Sequence, residues 1–418
     1  MVDLALRPGA GGHVKCWERL GRAALGFPAD VDLTVFLSGA QATTVEMGAN
    51  LRFETLPPVF STRRLAFLLG DIPDHTDLAP WHPALAQRLA DGFDVLHTTD
   101  AFFAFSRTAA GVARARGVPL VNSVHTATPA LTRLFTQRTL DRLFGGGAVA
   151  RLLIDGLHLP ERAERGKIET LLAHQAQCAF ALVSREDDRQ RAVTVLPQDR
   201  VRRLRRGVDH ALFSPAKRDR DWVLAEYGIP KAALLVLFVG RLDSSKNVGV
   251  LAEAVRRAAA RGASLFLLCA GEGSERGCVQ AILGEYGACP GQIEPTRLGR
   301  VYACADVVAA PSEIEIFGNV VLEALASGVP VVVAERGGMG SVLDPDRTGV
   351  IVSGQGPDPW ARVLAGLAGD RDRLAGMAAA VRAGAGPLTP SWDEVFAQDL
   401  LPVWREAVGR RAGRQVAA

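Results

Sequence analysis

No two of the six cysteines, at positions 16, 178, 269, 278, 289 and 304, form a C-x-x-C pair, and no histidine stands at metal-finger spacing. In a chain of 418 residues, too large to need covalent staples, such scattered thiols read as reduced and mostly buried. A surplus of charge is missing too. Lysine and arginine number 48 against 45 acidic residues, a net charge of +3, so no global field draws nucleic acid and any basic role is local. No apolar run nears the roughly 20 residues that a membrane-spanning helix needs. The N-terminal stretch breaks at Pro8 and a glycine cluster before an apolar leader core forms. The expectation is a cytoplasmic protein, either free or bound peripherally to the cytoplasmic face of a membrane. Internal repeats and low-complexity tracts are also absent.

What is present is enough apolar material, 48% of residues, for two cores of ordinary size. Short β-rich runs recur at 2–6, 31–37, 95–97, 120–124, 181–184, 234–239, 265–270, 307–310 and 329–334. Segments with helical spacing, such as 248–261, separate them, which is the βαβ pattern of parallel sheets. The charged stretch 214–228 interrupts this pattern before a fresh apolar strand and marks a boundary between two Rossmann-like halves. We expect one domain at 1–215 and another at 216–389. An amphipathic helix at about 390–411, with Trp392, Phe396, Leu400, Leu401 and Trp404 near one stripe, is expected to pack back on the first.

Two segments carry chemistry. In 239–247, VGRLDSSKN, a strand ends in glycine and a helix begins within a few residues, so Arg241 and Lys246 add full charges to a site where free N–H groups already favour an anion. Taken alone, the fragment fits a solvated loop equally well. In 312–328, SEIEIFGNVVLEALASG, Glu315 lies in a loop and Glu323 on the following helix, with Phe317, Gly318 and Asn319 between them. Carboxylates accept hydrogen bonds from ribose and sugar hydroxyls, and Gly318 permits close approach of the backbone to a ligand. Paired glutamates are common on solvated helix faces, but Glu323 is enclosed by Val320, Val321, Leu322, Ala324 and Leu325, and a buried carboxylate calls for a partner.

The chain resembles retaining glycosyltransferases of family 4, which have the GT-B fold of two Rossmann-like parallel-sheet domains facing a central cleft. The resemblance rests on GRLDSSK at 240–246 and on the spacing of Glu315 to Glu323. It is supported by AGEGSE at 270–275, YACADVVAAPS at 302–312, RGVDHALFSP at 206–215, HTTD at 97–100 and NSVHT at 122–126. It implies a nucleotide-sugar donor whose diphosphate meets Arg241 and Lys246, whose ribose meets Glu323, and whose sugar meets Glu315 and the backbone of Phe317, Gly318 and Asn319. Gly271 and Gly273 would border the base, and His125 would contact the sugar near the reacting carbon. Gly11, Gly12 and His13 occupy the place of the family's glycine-rich turn, although a flexible start to the first helix explains them as well. Asp209 reads as shaping the interdomain connection.

The implied activity is transfer of a hexose, from GDP-mannose or a UDP-hexose, to a glycan or lipid-linked acceptor in glycolipid or cell-surface polysaccharide synthesis, with no metal or other cofactor. The alternatives are a noncatalytic nucleotide-sugar-binding protein and a GT-B epimerase or sugar-phosphate synthase. One departure is Ser341, in RGGMGSV at 336–342, where the family often has a glutamate. The D-x-D spacings at Asp30–Asp32, Asp219–Asp221, Asp344–Asp346 and Asp370–Asp372 are not read as metal sites. The stretch 131–147, with Arg133, Arg138 and Arg142 among leucines and phenylalanines, fits either a helix packed on the first sheet or a peripheral membrane contact. The arginines at 202, 203, 205 and 206 fit acceptor binding or plain exposure.

Overall fold

A computed structural model of the chain describes residues 1–5, 12–65, 76–90, 92–315, 318–384 and 386–416. It divides into two compact units, one formed by Met1–Arg205 with Trp392–Ala418 and the other by Arg206–Ser391. The segment 206–215 therefore joins the second unit, not the first as its sequence position suggested. The reason is packing, since Val208 and Phe213 are buried in the second unit's core.

In the first unit, strands β1 (Val2–Ala5), β2 (Leu33–Ser38), β3 (Thr43–Gly48) and β4 (Leu51–Leu56) are ordered β1-β2-β4-β3. Strands β5 (Leu96–Thr99), β6 (Leu120–Ser123), β7 (Phe180–Val183) and β8 (Val201–Arg203) follow in sequence order. Pairing is parallel throughout except between β3 and β4. Thr99 donates from its backbone N and its Oγ1 to the carbonyl of Met1, at 3.1 and 2.6 Å, which brings β5 alongside β1. The order of strands reverses at that junction. In open α/β sheets, ligands bind beyond the carboxyl ends of the strands at such a reversal.

The second unit has one six-stranded parallel sheet made of β9 (Leu234–Val239), β10 (Leu265–Ala270), β11 (Gly287–Gly291), β12 (Val307–Ala310), β13 (Val331–Ala334) and β14 (Gly349–Val352). The order is β11-β10-β9-β12-β13-β14, with the reversal between β9 and β12. Alternate residues supply two cores. Leu234, Val236 and Phe238 pack with the helices Val248–Ala260 and Pro357–Gly369, while Leu235 and Leu237 pack with Pro295–Cys304 and Asn319–Ala326. A sheet covered on both faces explains why these strands read as unbroken apolar runs.

The C-terminal segment returns to the first unit. Trp392, Phe396, Leu400, Leu401 and Trp404 are buried beside Val14, Leu20 and Val35. Two of the four clustered arginines hold it there, Arg205 through Asp399 at 2.7 Å and Arg202 through Glu406 at 3.3 Å. The helix Thr128–Phe144 has no buried residue, so the basic stretch forms no part of the first sheet's core. Leu143 and Phe144 are exposed. Among the described residues no helix is long and apolar enough to cross a membrane. Five cysteines are buried and Cys278 is exposed, all as free thiols.

Candidate active site

The reversal between β9 and β12 gathers the second unit's charged groups. After β9, Asp243 caps a short helical turn, Ser244–Lys246, by accepting from Ser245 N at 2.9 Å. Its other oxygen pairs with Arg241 Nε at 3.3 Å. Asn247 then takes a left-handed conformation, φ 53°, and donates from Nδ2 to the carbonyl of Pro311 at 3.2 Å. Ser312 Oγ donates to the carbonyl of Ser245 at 3.2 Å, so two bonds lace the loop after β9 to the loop after β12. The result brings Lys246 Nζ against Glu315 Oε1 as a half-buried ion pair. Glu315 is fixed through its main chain as well, since Gly338 N donates to its carbonyl at 3.0 Å.

Glu323 has the partner that its apolar surroundings demanded. Tyr302, fully buried and packed edge-on to Phe213, donates its hydroxyl to Glu323 Oε2 at 2.9 Å. Burial and the neighbouring carboxylate push the phenol's pKa well above its usual value, so it remains a donor. Tyr302 lies in a stretch singled out for resemblance only, and its role was not read.

Gly318 opens the helix Asn319–Ala326 with φ 58°, and a Cβ there would meet Met339 Sδ at 2.5 Å. Gly271, φ 150°, and Gly273 face the main chain of the loop after β9, and a Cβ on either would overlap the carbonyl oxygen of Gly240 or Leu242. These glycines are thus required by chain-on-chain packing, apart from any ligand. Ser341 turns its hydroxyl onto the carbonyl of Gly338 at 2.6 Å. Asp209 caps its own turn through Ala211 N at 3.1 Å. Phe317 and Gly11 lie outside the described residues.

The first unit's reversal, between β1 and β5, holds His125. Just beyond β5, Asp100 adopts φ 57°, and its buried carboxylate accepts from His125 N at 2.9 Å, Thr126 N at 3.2 Å and Thr126 Oγ1 at 2.7 Å. His13, which follows the exposed Gly12, stacks on the His125 ring with centroids 4.9 Å apart and planes 8° apart. Its Nδ1 is 3.8 Å from Asp100 Oδ2. His13 and the histidine motif, far apart in sequence, thus meet.

Burial raises the pKa of Asp100 from 3.8 to about 6, against the pull of its hydrogen bonds to His125 and Thr126. A folded pKa above the unfolded one adds stability that is complete below 3.8 and is lost as the pH rises through about 6. Asp100→Asn keeps the side chain's tolerance of left-handed backbone. The wild-type advantage over this variant should decline by on the order of 3 kcal/mol between pH 3.8 and neutrality, read from denaturant unfolding at each pH.

Several of the D-x-D aspartates are engaged elsewhere. Asp32 takes Arg52 at 2.9 Å, Asp344 takes Arg347 at 3.2 Å, Asp346 takes Arg373 at 2.7 Å, and Asp219 caps the helix Arg220–Tyr227.

Residues 233–370 match the family model described as glycosyl transferases group 1. A D-inositol 3-phosphate glycosyltransferase of Catenulispora acidiphila is 31% identical over 343 residues, covering 78% of this chain and 75% of the relative. Among solved structures, sucrose-phosphate synthase from Thermosynechococcus elongatus superposes with a TM-score of 0.69 at 19% identity, over 98% of this chain and 99% of that one. Anabaena HepE, solved in complex with UDP and glucose, gives 0.61 at 16% identity, over 100% and 99%. Two α/β units built on parallel sheets, each with its strand order reversing once, have the GT-B fold, and their class is that of glycosyltransferases. This chain belongs to the group 1 glycosyltransferases.

Proposed function

We propose that the protein transfers a hexose from a nucleoside diphosphate sugar to an acceptor hydroxyl with retention of anomeric configuration and without a divalent metal. The observation that carries this reading is the presence of two ion pairs, Arg241 with Asp243 and Lys246 with Glu315, on the loops at the carboxyl ends of β9 and β12. Departure of the diphosphate builds negative charge on its oxygens. Cations held in place by Asp243 and Glu315 stabilise that charge without first having to be ordered, which lowers the barrier more than it strengthens ground-state binding. In this reading Glu323, oriented by Tyr302, accepts from the ribose hydroxyls, and Glu315 with the backbone at 317–319 holds the hexose. Gly271 and Gly273 border the base, Gly12 borders the donor in the first unit, and His125 hydrogen-bonds the hexose. The leaving phosphate oxygen takes the acceptor's proton.

The donor is GDP-mannose or a UDP-hexose. Relatives named for D-inositol 3-phosphate make a phosphorylated polyol the first acceptor to try, ahead of the lipid-linked and polysaccharide precursors expected from the sequence. Half-buried Lys167 supports an anionic acceptor, since its ammonium lies 5.3 Å from the ring centre of Phe102, just beyond β5, and burial and Arg107 lower its pKa.

A thermal-shift screen of GDP, UDP and ADP sugars identifies the donor, because a ligand of the folded state stabilises it by an amount that grows with the logarithm of one plus its concentration over its dissociation constant. Turnover with that donor is expected to survive chelator and to give a product of unchanged anomeric configuration. Inverted product, or activity abolished by chelator and restored by manganese, contradicts the proposal. Donor binding with neither transfer nor hydrolysis points instead to a binding-only protein.

A further inference from the structure

His125 stands at one end of a chain of side-chain hydrogen bonds whose direction is fixed from the other end. Trp404, on the C-terminal helix, places its indole Nε1 2.9 Å from His97 Nδ1. An indole N–H only donates, so His97 Nδ1 accepts. His97 is then neutral with its proton on Nε2, in keeping with the burial that holds its pKa well below the usual value. That Nε2 is 2.7 Å from Ser123 Oγ and donates to it. Ser123 has one proton to give, and its Oγ is 2.7 Å from His125 Nε2. His125 Nε2 therefore accepts, and the proton of the neutral imidazole sits on Nδ1. The rings have little freedom to escape this order. Trp17 packs edge-on to His97 at 5.0 Å and tilts against His125 at 5.8 Å, and His13 covers the His125 ring.

We propose that Trp404, His97 and Ser123 are positioning residues that hold His125 as the Nδ1–H tautomer, so that it donates a hydrogen bond to the hexose and does not act as a base through Nε2. The second half rests on the role given to His125 in the proposed function; the first half does not. Protonating His125 at Nε2 would point two N–H groups at the Ser123 oxygen and force its proton to find another acceptor, so the chain favours the neutral ring.

The test is a long-range proton–nitrogen correlation spectrum of the full chain labelled with nitrogen-15 in its histidines, with signals assigned by His97→Gln and His125→Gln. We expect His97 protonated on Nε2 and His125 on Nδ1. Trp404→Phe releases His97 Nδ1, so both rings should become mixtures of tautomers. Ser123→Ala should do the same to His125 alone, while Ser123→Thr, which keeps the hydroxyl, should restore the wild-type spectrum. With the donor identified, kcat is expected to fall roughly two- to tenfold in Trp404→Phe and Ser123→Ala, about the worth of one hydrogen bond, with Ser123→Thr near wild type. A wild-type spectrum with His97 protonated on Nδ1 or His125 on Nε2 overturns the proposal, as do tautomers unchanged by both Trp404→Phe and Ser123→Ala. Full turnover by His125→Ala with the expected tautomers in place overturns its second half and the assigned role of His125, while the relay stands.

Discussion

Lys246→Ala is expected to lower kcat for the correct donor by about 10²–10³-fold, the range found when one preorganised group facing a developing anion is removed. The loss should fall more on kcat than on KM. The diphosphate is already charged when it binds, but it gains further charge as the glycosidic bond breaks, and a cation at that spot interacts most strongly with the transition state. Two features of the site sharpen the expectation. The half-buried ion pair with Glu315 keeps the ammonium from wandering, and the bonds from Asn247 and Ser312 tie together the two loops that bear the pair. Removal of Lys246 also strips Glu315 of its partner, so Lys246→Ala/Glu315→Ala should lose less than the product of the two single losses. Initial rates over a range of donor concentrations separate the two constants. An unchanged kcat removes Lys246 from the reaction.

Gly271→Ala is expected to destabilise the second unit by about 2–6 kcal/mol, the sum of forcing an alanine to a positive φ and of overpacking. The added Cβ falls on the carbonyl oxygen of Gly240, which is main chain, so no side chain can swing aside to make room. The loops after β9 and β10 would have to part, breaking bonds such as Gly240 N to Ala270 O at 3.0 Å and Leu242 N to Glu272 O at 2.9 Å. Amide hydrogen exchange at β9 and β10 should therefore quicken sharply, while the first unit's strands keep their protection. Gly376→Ala is the control. It lies within the helix Arg371–Gly384 with nothing within 4 Å of an added Cβ, and should stabilise by about 0.5–1 kcal/mol. Equal exchange rates in wild type and Gly271→Ala would show that the close approach is not needed.

The sequence made most interior strands legible because burial on both faces leaves a continuous apolar run, as in LLVLFV of β9 and LFLLCA of β10, whereas β4, LRFETL, lies between β2 and β3 without such a run and was not legible. Edge strands left no such mark. β3, TTVEMG, is exposed along its whole length, and β11, GACPG, is two glycines, a proline and two small residues. The charged part of the site was legible for a related reason, since cations and carboxylates just past the ends of buried strands lie where a parallel sheet presents its ligand face. Its supports were not. Asp100 needs a left-handed backbone that no neighbouring residue announces, Tyr302 finds Glu323 across 21 positions, and Trp404 reaches His97 across 307. Such pairings exist only once the chain has folded. The arginines at 202 and 205, open in the sequence between acceptor binding and plain exposure, pair with carboxylates of the returning segment.

That return also sets the order in which the molecule can be made. The second unit is one unbroken stretch, Arg206–Ser391, and has all its core residues before the last strip of the first unit leaves the ribosome. The first unit, although it starts the chain, waits for Trp392, Phe396 and Trp404 to close its core, so the half begun first is the half finished last. Until then the helix Gly12–Ala24 and β6 lack the apolar cover that the C-terminal segment gives them, and His97 lacks the indole that decides where its proton sits. A chain stopped short of residue 404 would therefore have every residue of the charged cluster after β9 and β12, and a histidine pair with nothing to set its tautomers.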